Sequence, residues 1–213
     1  MLVESCLQIL PDSCFITEEE TISNSSEKDW RWIIDPLDGT TNFLHQIPFF
    51  SISVALQYQS KTVLGIVYEI NRKEMFYAWS GAGCFLNGKQ VRVTQTKNLA
   101  ETLIATGFPY YDFEKTENYL KLLGQLMPKT RGIRRIGSAA LDLAYTACGR
   151  FDAFYEYSLA PWDVAAGAFL VEEAGGKISD FKGGDNYLFG KEMLATNPFI
   201  FEEMQQLIAI HFK

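Results

Sequence analysis

The sequence DPLDGTTN at positions 35–42 constrains this chain more than any other stretch. It follows the apolar run Trp32-Ile33-Ile34, which predicts a buried strand. Because Pro36 has no N–H group to donate to a sheet, the strand is predicted to end there. Gly39 permits a tight turn, and either of the two threonines that follow it is predicted to cap a short helix.

This predicted loop brings together groups that hold a cation and groups that hold a phosphate. Its two aspartates and a free carbonyl offer oxygen ligands, which hard cations such as Mg²⁺ prefer. The N–H groups at the start of a helix bind anions such as phosphate. Asp-Pro and Asp-Gly are also ordinary turn formers, so the local sequence leaves a plain surface turn open as an alternative.

The composition narrows the classes of protein that fit. The 213 residues suffice for one large domain or two joined halves. A net charge of -7, with no basic stretch longer than Arg134-Arg135, argues against a nucleic-acid partner. With two histidines in the chain, a histidine-rich zinc site is nearly excluded, and carboxylate ligands favour Mg²⁺. Bound cations would also make an acidic chain compatible with a phosphate substrate.

The cellular compartment is predicted from the first residues of the chain, the length of its apolar runs and its cysteines. No apolar run approaches the ~18 residues that cross a bilayer, and the first residues do not resemble a signal peptide. The four cysteines are scattered without a CxxC pair, which is typical of thiols in a reducing cytoplasm. We therefore expect a cytoplasmic protein with no membrane partner.

The pattern of apolar residues predicts a first half made mostly of antiparallel sheet and a second half that alternates helices and strands. An Asn-Gly pair at 87–88 predicts a two-residue hairpin. Strands are predicted at 15–16, 49–57, 63–70, 74–79, 103–106, 133–136, 151–155 and 177–180. Helices are predicted within 1–10, at 117–127, 137–148 and 201–210, and from Pro161 to Glu173.

Two long motifs resemble the signatures of the inositol monophosphatase family, among the lithium-sensitive, Mg²⁺-dependent phosphatases. The first is Trp32–Phe43, and the second is PWDVAAG at 161–167, followed by EAGG at 173–176. The resemblance covers nearly the whole chain and implies an α/β (α+β) fold, the layered αβαβα sandwich of the sugar-phosphatase type. The resemblance also implies that the chain is N-terminally truncated relative to the family pattern. Residues 1–107 are expected to form a metal- and phosphate-binding half, and residues 108–213 an α/β half that completes one catalytic unit.

The resemblance also implies a set of metal ligands for two or three Mg²⁺ ions. Glu18, Asp35 and the carbonyl of Leu37 match the ligands of the first metal. Asp35, Asp38 and Asp163 match the ligands of the second. On local sequence, Glu18 has a solvated-turn alternative, and Asp163 has the alternative of a helix cap.

Further roles follow from the same resemblance. Thr40 and Glu18 match the residues that orient the attacking water and are the expected catalytic residues. The expected substrate contacts are Gly39, Thr40, Gly137, Ser138, Ala139 and Glu156. A simple helix cap is the local alternative for Gly137 and Ser138. The family aspartate that pairs with this threonine lies before the point where the sequence starts, so Thr40 is expected to lack its hydrogen-bond partner.

The implied activity is hydrolysis of inositol monophosphate, or a similar small polyol or sugar phosphate, by metal-activated water. The resemblance also implies inhibition by Li⁺ and a homodimer, to which the aromatic run Phe108–Phe113 could contribute. A 3′(2′),5′-bisphosphate nucleotidase is a competing interpretation, although those relatives tend to carry Lys-Glu-Phe where this chain has Thr41-Asn42-Phe43. Fructose 1,6-bisphosphatase activity and a non-catalytic scaffold also stay open at this point.

Overall fold

A computed structural model of the chain describes residues 2–19, 28–110 and 112–212. The first half forms helix α1 (Leu2–Ile9), a seven-stranded sheet and the short helix α2 (Thr40–Leu44). The strands, in their spatial order, are β1 (Ser13–Thr17), β2 (Trp30–Asp38), β3 (Ser51–Tyr58), β4 (Lys61–Glu69), β5 (Glu74–Trp79), β6 (Gly83–Leu86) and β7 (Lys89–Val91). Neighbouring strands are antiparallel except β1 and β2, which are parallel. The predicted antiparallel half is confirmed.

The second half forms a five-stranded sheet in the spatial order β11-β12-β10-β8-β9, together with four longer helices. The strands are β8 (Leu103–Thr106), β9 (Gly132–Arg134), β10 (Ala153–Tyr157), β11 (Lys177–Ser179) and β12 (Glu192–Thr196). The helices are α3 (Thr116–Leu126), α4 (Ala139–Ala147), α5 (Pro161–Glu173) and α6 (Phe201–His211). The predicted helices are confirmed, and α5 has the predicted bounds.

The helices and sheets stack in five layers, in the order α1, first sheet, α4 with α5, second sheet, and α3 with α6. The central core joins Ile33 and Val67 of the first sheet to Leu143 and Leu170 of the middle helices and Phe154 of the second sheet. Two smaller clusters attach the outer helices to the outer faces of the sheets. The predicted αβαβα sandwich is confirmed. Among the described residues, no helix has both the length and the apolar character needed to cross a bilayer.

Strand β12 was not predicted from the sequence, yet it lies between β10 and β11 and all of its residues are buried. Its sequence, EMLAT, contains glutamate, methionine, leucine and alanine, which favour helices over strands. Antiparallel pairing with both neighbours overrides that local preference. This strand is therefore specified by its place in the sheet.

The prediction that β2 ends at Pro36 is wrong, because the strand continues to Asp38 through a bulge. Asp35 faces Ser53 and Asp38 faces Ser51, so three steps along β2 match two steps along β3. Pro36 lies in the bulge, where its missing N–H group is tolerated. In a regular strand, residues three apart point to opposite faces. The extra residue turns both aspartates toward the same face of the sheet, because their partners Ser53 and Ser51 lie two residues apart on β3.

Candidate active site

A cleft of about 330 Å³ is lined by residues from both halves of the chain. All the predicted site residues line it, namely Glu18, Asp35, Leu37, Asp38, Gly39, Thr40, Gly137, Ser138, Ala139, Glu156 and Asp163. Residues that were not predicted complete the lining, namely Thr41, Gly107, Phe108, Tyr110, Arg135, Asp142, Ser158, Leu159, Ala160 and Trp162. The two distant sequence motifs therefore meet at one place.

Three carboxylates form a cluster at one end of the cleft. One oxygen from each of Asp35, Asp38 and Asp163 lies within 4.8 Å of the others. The bulge in β2 supplies the first two, and the first turn of α5 supplies the third. Glu18 follows β1, which runs parallel to β2 with Thr17 opposite Ile34, so Glu18 lies at the same end of the sheet as Asp35.

Asp38 is held by donors from the start of α4. Its Oδ2 accepts hydrogen bonds from Ser138 Oγ at 2.5 Å and from the N–H of Ala140 at 2.8 Å. The Ser138 hydroxyl also accepts from the N–H of Leu141 at 3.3 Å and so caps α4. Ser138, predicted to contact substrate, therefore uses its hydroxyl to fix a carboxylate of the first half. The hydrogen bonds from Ser138 and Ala140 are both accepted by the same oxygen, Oδ2.

The other two aspartates are also fixed through one oxygen each. Asp35 Oδ1 accepts from the N–H of Leu37 at 2.8 Å, and Asp163 Oδ2 accepts from the N–H of Ala160 at 2.7 Å. Asp163 is thus a helix cap, as its local sequence allowed, and also a member of the carboxylate cluster. The two roles are compatible because a carboxylate has two oxygens.

Burial and mutual repulsion disfavour the charged forms of these acids. Burial, followed by the charges of Asp38 and Glu18, raises the pKa of Asp35 to about 9. Burial and the charge of Asp38 raise the pKa of Asp163 to about 7. Burial raises the pKa of Asp38 to about 6, although the hydrogen bond from Ser138 opposes the shift. A divalent cation would remove this repulsion, and a donor set made entirely of oxygen fits Mg²⁺.

Helix α2 begins next to this cluster. Its N-cap is Gly39, with a left-handed φ of 93° and no side-chain cap, so the prediction that a threonine caps the helix is wrong. The Thr40 Oγ1 donates a hydrogen bond to the carbonyl of Leu37 at 2.9 Å. Thr40 thereby orients a carbonyl that the sequence predicts as a metal ligand. The expectation that Thr40 lacks the family aspartate as a partner stays a prediction.

Asn42 ties α2 to the second half of the chain and was not predicted to contribute to the site. Its buried side-chain amide donates to the carbonyl of Phe49 at 2.8 Å and to that of Ile136 at 2.7 Å. The second bond fixes α2 beside Gly137, which has a left-handed φ of 88° and lines the cleft. Sequence reasoning had no signal for this contact, because the partner lies 94 residues away.

The cleft is also lined by a second pair of acids, Glu156 and Asp142. Burial and the charge of Asp163 raise the pKa of Glu156 well above its ordinary range. Gly107 makes room for Glu156, since a Cβ there would lie 2.0 Å from Glu156 Oε2. Asp142 could have been found from the sequence, because it lies four residues after Ser138 and so on the same face of α4.

Known proteins have sequences and folds similar to those of this chain. The profile of the inositol monophosphatase family matches residues 1–212. The chain is 42% identical over 204 residues to the Nus factor SuhB of Escherichia coli K12, covering 96% of this chain and 76% of that protein. It superimposes on the extragenic suppressor protein suhB of Bartonella henselae with a TM-score of 0.92 and 40% identity, covering 97% of this chain and 80% of the other.

A third relative carries an enzyme name. The inositol monophosphatase of Anabaena (Nostoc) sp. PCC 7120 superimposes with a TM-score of 0.92 at 35% identity, covering 99% of this chain and 83% of that one. Sequence match, layer order and the convergence of both motifs on one cleft agree with one another. The chain therefore belongs to the inositol monophosphatase family.

Proposed function

We propose that this chain is a Mg²⁺-dependent phosphomonoesterase that hydrolyses inositol monophosphate or a similar small polyol or sugar phosphate. The observation that carries the proposal is the cluster of Asp35, Asp38 and Asp163, whose oxygens lie within 4.8 Å of one another. The cluster opens into a cleft that also contains the start of α2, where N–H groups lack acceptors inside the helix. This pairing suits a phosphate held against bound cations.

We assign the cation ligands residue by residue. Glu18, Asp35 and the carbonyl of Leu37 would hold one ion. Asp35, Asp38 and Asp163 would hold a second, and each active site would contain two or three ions in total. When bound, such ions lower the pKa of water and neutralise charge on the leaving oxygen. Thr40 keeps the carbonyl of Leu37 in place through a hydrogen bond of 2.9 Å. Ser138 does the same for the carboxylate of Asp38 through a hydrogen bond of 2.5 Å.

The chain's own groups hold the substrate. The N–H groups of Gly39 and Thr40 would donate to phosphate oxygens. The Thr40 hydroxyl and the Glu18 carboxylate would orient the water whose oxygen forms the new bond to phosphorus as the ester bond breaks. The polyol would extend toward Glu156, along the wall formed by 137–139.

Phosphate release from a panel of esters tests the proposal. The panel contains inositol monophosphate, fructose 1,6-bisphosphate and a 3′(2′),5′-bisphosphate nucleotide, each with Mg²⁺ and with excess chelator. We expect Mg²⁺-dependent release that is fastest with inositol monophosphate and is largely abolished by Asp38→Asn. Asp185→Asn, an exposed aspartate outside the cleft, is the matched control. Full turnover in chelator would refute metal dependence, and a preference for either bisphosphate would favour the corresponding bisphosphatase activity.

A second candidate function rests on the relatives named as Nus factors. The Escherichia coli protein is 42% identical over 96% of this chain, which favours a Nus-factor role here as well. Because this chain has a net charge of -7, we expect such a role to depend on contacts other than direct binding of nucleic acid. Complementation of a bacterium that lacks its own Nus factor SuhB would test it. Rescue by both the wild type and Asp38→Asn would show a role independent of hydrolysis.

We also propose that the protein is a homodimer. Phe108, Tyr110 and Phe113 expose 46%, 51% and 62% of their surface, and such aromatic residues are enriched at interfaces. Tyr111, part of the same predicted aromatic run, lies outside the described residues. Light scattering at micromolar concentration should give twice 24.1 kDa, and a monodisperse monomer would refute the dimer.

We further propose that residues 1–107 and 108–213 act as a single catalytic unit. The cation ligands come from both segments, and Ser138 bonds to Asp38 across the boundary. Separately produced segments should therefore release no phosphate, and activity in either segment would contradict the proposal. We expect this unit to work in the cytoplasm, where its four free cysteines would stay reduced.

A further inference from the structure

Asp142 is a buried acid in the wall of the cleft, and it has no role in the proposed binding of cations and phosphate. Its residue surface is 1% exposed, and it lies in the first turn of α4. Its Oδ1 is fully buried and has no hydrogen-bond partner among the described residues. Buried polar atoms are nearly always paired, because an unpaired one loses its hydration without compensation. A ligand bound in the cleft would supply the hydrogen-bond partner that this acid lacks.

The surroundings of Asp142 indicate what kind of ligand would satisfy it. Arg135, which also lines the cleft, has a buried Nε without a partner among the described residues, while its Nη2 donates to Tyr110 Oη at 2.6 Å. Glu156 and Arg135 are both close enough to act electrostatically on the Asp142 carboxyl. The positive charge of Arg135 disfavours the binding of a further cation beside Asp142. Neutral hydroxyl groups, which both donate and accept, match this set of groups.

The position of Asp142 relative to the carboxylate cluster follows from its place in α4. Its N–H donates to the carbonyl of Ser138 at 2.9 Å, so the two residues lie one helical turn apart. Four residues of α-helix rise about 6 Å. Ser138 contacts Asp38 of the carboxylate cluster, and the charge of Asp38 acts on the Asp142 carboxyl. A phosphate ester held at the cluster would therefore lie about one helical turn from Asp142.

We propose that Asp142 binds a hydroxyl group of the substrate polyol, on the side of the ring away from the phosphate, and makes the cleft selective for hydroxyl-rich esters. This assignment rests on the phosphatase function proposed above and adds a specificity-determining residue to it. Burial, followed by the charges of Glu156 and Asp38, raises the pKa of Asp142 well above its ordinary range, which favours the protonated form of the acid. A protonated carboxyl donates one hydrogen bond, accepts another and does not repel a phosphorylated substrate.

A comparison of two esters with two variants tests the assignment. Inositol monophosphate carries several hydroxyls, whereas p-nitrophenyl phosphate carries none on its ring. Asp142→Leu should lower kcat/KM for inositol monophosphate about tenfold or more and leave that for p-nitrophenyl phosphate unchanged. Asp142→Asn keeps hydrogen-bonding capacity and should retain much of the preference. Because Asp142→Leu removes an orphaned acid, its melting temperature should equal or exceed that of the wild type.

Equal losses with both esters would indicate a structural role and overturn the assignment, as would no loss with either. Calorimetric titration of the two esters in Mg²⁺ separates this question from turnover. If the wild type hydrolysed neither ester, the proposed function would fail, and weaker binding of inositol monophosphate by Asp142→Leu would still support the contact. Unchanged binding, or wild-type binding that does not distinguish the esters, would overturn it. If Asp142→Leu fails to fold, the same titrations with Asp142→Asn decide.

Discussion

The Ser138 hydroxyl donates a 2.5 Å hydrogen bond to Oδ2 of Asp38, joining residues 100 positions apart in the chain. This contact links the start of α4 to the end of β2, and so links the two halves at the carboxylate cluster. Since the N–H of Ala140 meets the same oxygen, the Asp38 carboxylate has a defined orientation before any ion binds. Groups that orient a metal ligand typically matter nearly as much as the ligand itself.

We therefore expect Ser138→Ala to raise the Mg²⁺ concentration needed for half-maximal phosphate release by about 10- to 100-fold. Ser138→Thr keeps the hydroxyl and should remain close to the wild type. The measurement is a Mg²⁺ titration of phosphate release at saturating substrate. A loss of substrate affinity with unchanged Mg²⁺ dependence would instead assign Ser138 to the polyol.

Gly39→Ala should abolish most activity and destabilise the fold. A Cβ at Gly39 would lie 2.9 Å from the carbonyl oxygen of Phe49, and its φ of +93° already disfavours a side chain. Gly81→Ala is the matched control, because Gly81 has a φ of +77° with open space around it. Thermal unfolding should show a cost of about 1–2 kcal/mol for the control and a larger cost for Gly39→Ala. Equal costs would show that the contact with Phe49 is unimportant.

Gly107→Ala should displace Glu156 and weaken the polyol end of the cleft. A Cβ there would lie 2.0–2.1 Å from the carboxylate oxygens of Glu156, which is 9% exposed and has little room to move. We expect KM for inositol monophosphate to rise while Mg²⁺ dependence stays unchanged. Gly124→Ala, at an exposed helical position with open space, should instead stabilise by about 0.5–1 kcal/mol. An unchanged KM would argue against a Glu156 contact with substrate.

The Glu74–Arg150 pair predicts a pH-dependent contribution to stability. Arg150 donates to both carboxylate oxygens of Glu74, at 2.6 and 2.5 Å, and this hydrogen bonding lowers the pKa of Glu74. A lowered pKa stabilises the fold above the unfolded pKa, and the contribution is lost as pH falls through the folded value. Glu74→Gln should cost about 1 kcal/mol at neutral pH.

The stability difference between wild type and Glu74→Gln should shrink below about pH 4, near the ordinary pKa of a glutamate. Chemical denaturation at several pH values measures it. Glu117→Gln is the control, since it removes an exposed pair with Lys121 in a single helix, and we expect it to have a smaller effect. A pH-independent difference would attribute the cost to packing.

Li⁺ should inhibit phosphate release uncompetitively. The cluster of Asp35, Asp38 and Asp163 is an all-oxygen site that we expect to accept Li⁺ while phosphate is still bound. Inhibition should therefore persist at saturating substrate in steady-state kinetics. Indifference to tens of millimolar Li⁺ would count against the assignment of these three residues as the second metal site.

The resemblance carried by the two sequence motifs was sufficient to predict the fold class and eleven of the residues that line the cleft. Local apolar patterns predicted most of the strands, and Pro161 at the start with Gly175-Gly176 after the end predicted the bounds of α5. The charged residues of the motifs could be identified because metal and phosphate chemistry restricts which side chains can serve.

Tertiary structure decided the features that depend on partners distant in the chain. The bulge that aligns Asp35 with Asp38 exists because of pairing with β3, and β12 is a strand because it lies between two others. Ser138 meets Asp38, and Asp142 reaches the cleft, because α4 is clamped between two sheets. No local pattern encodes these contacts, since their free energy comes from groups that folding brings together.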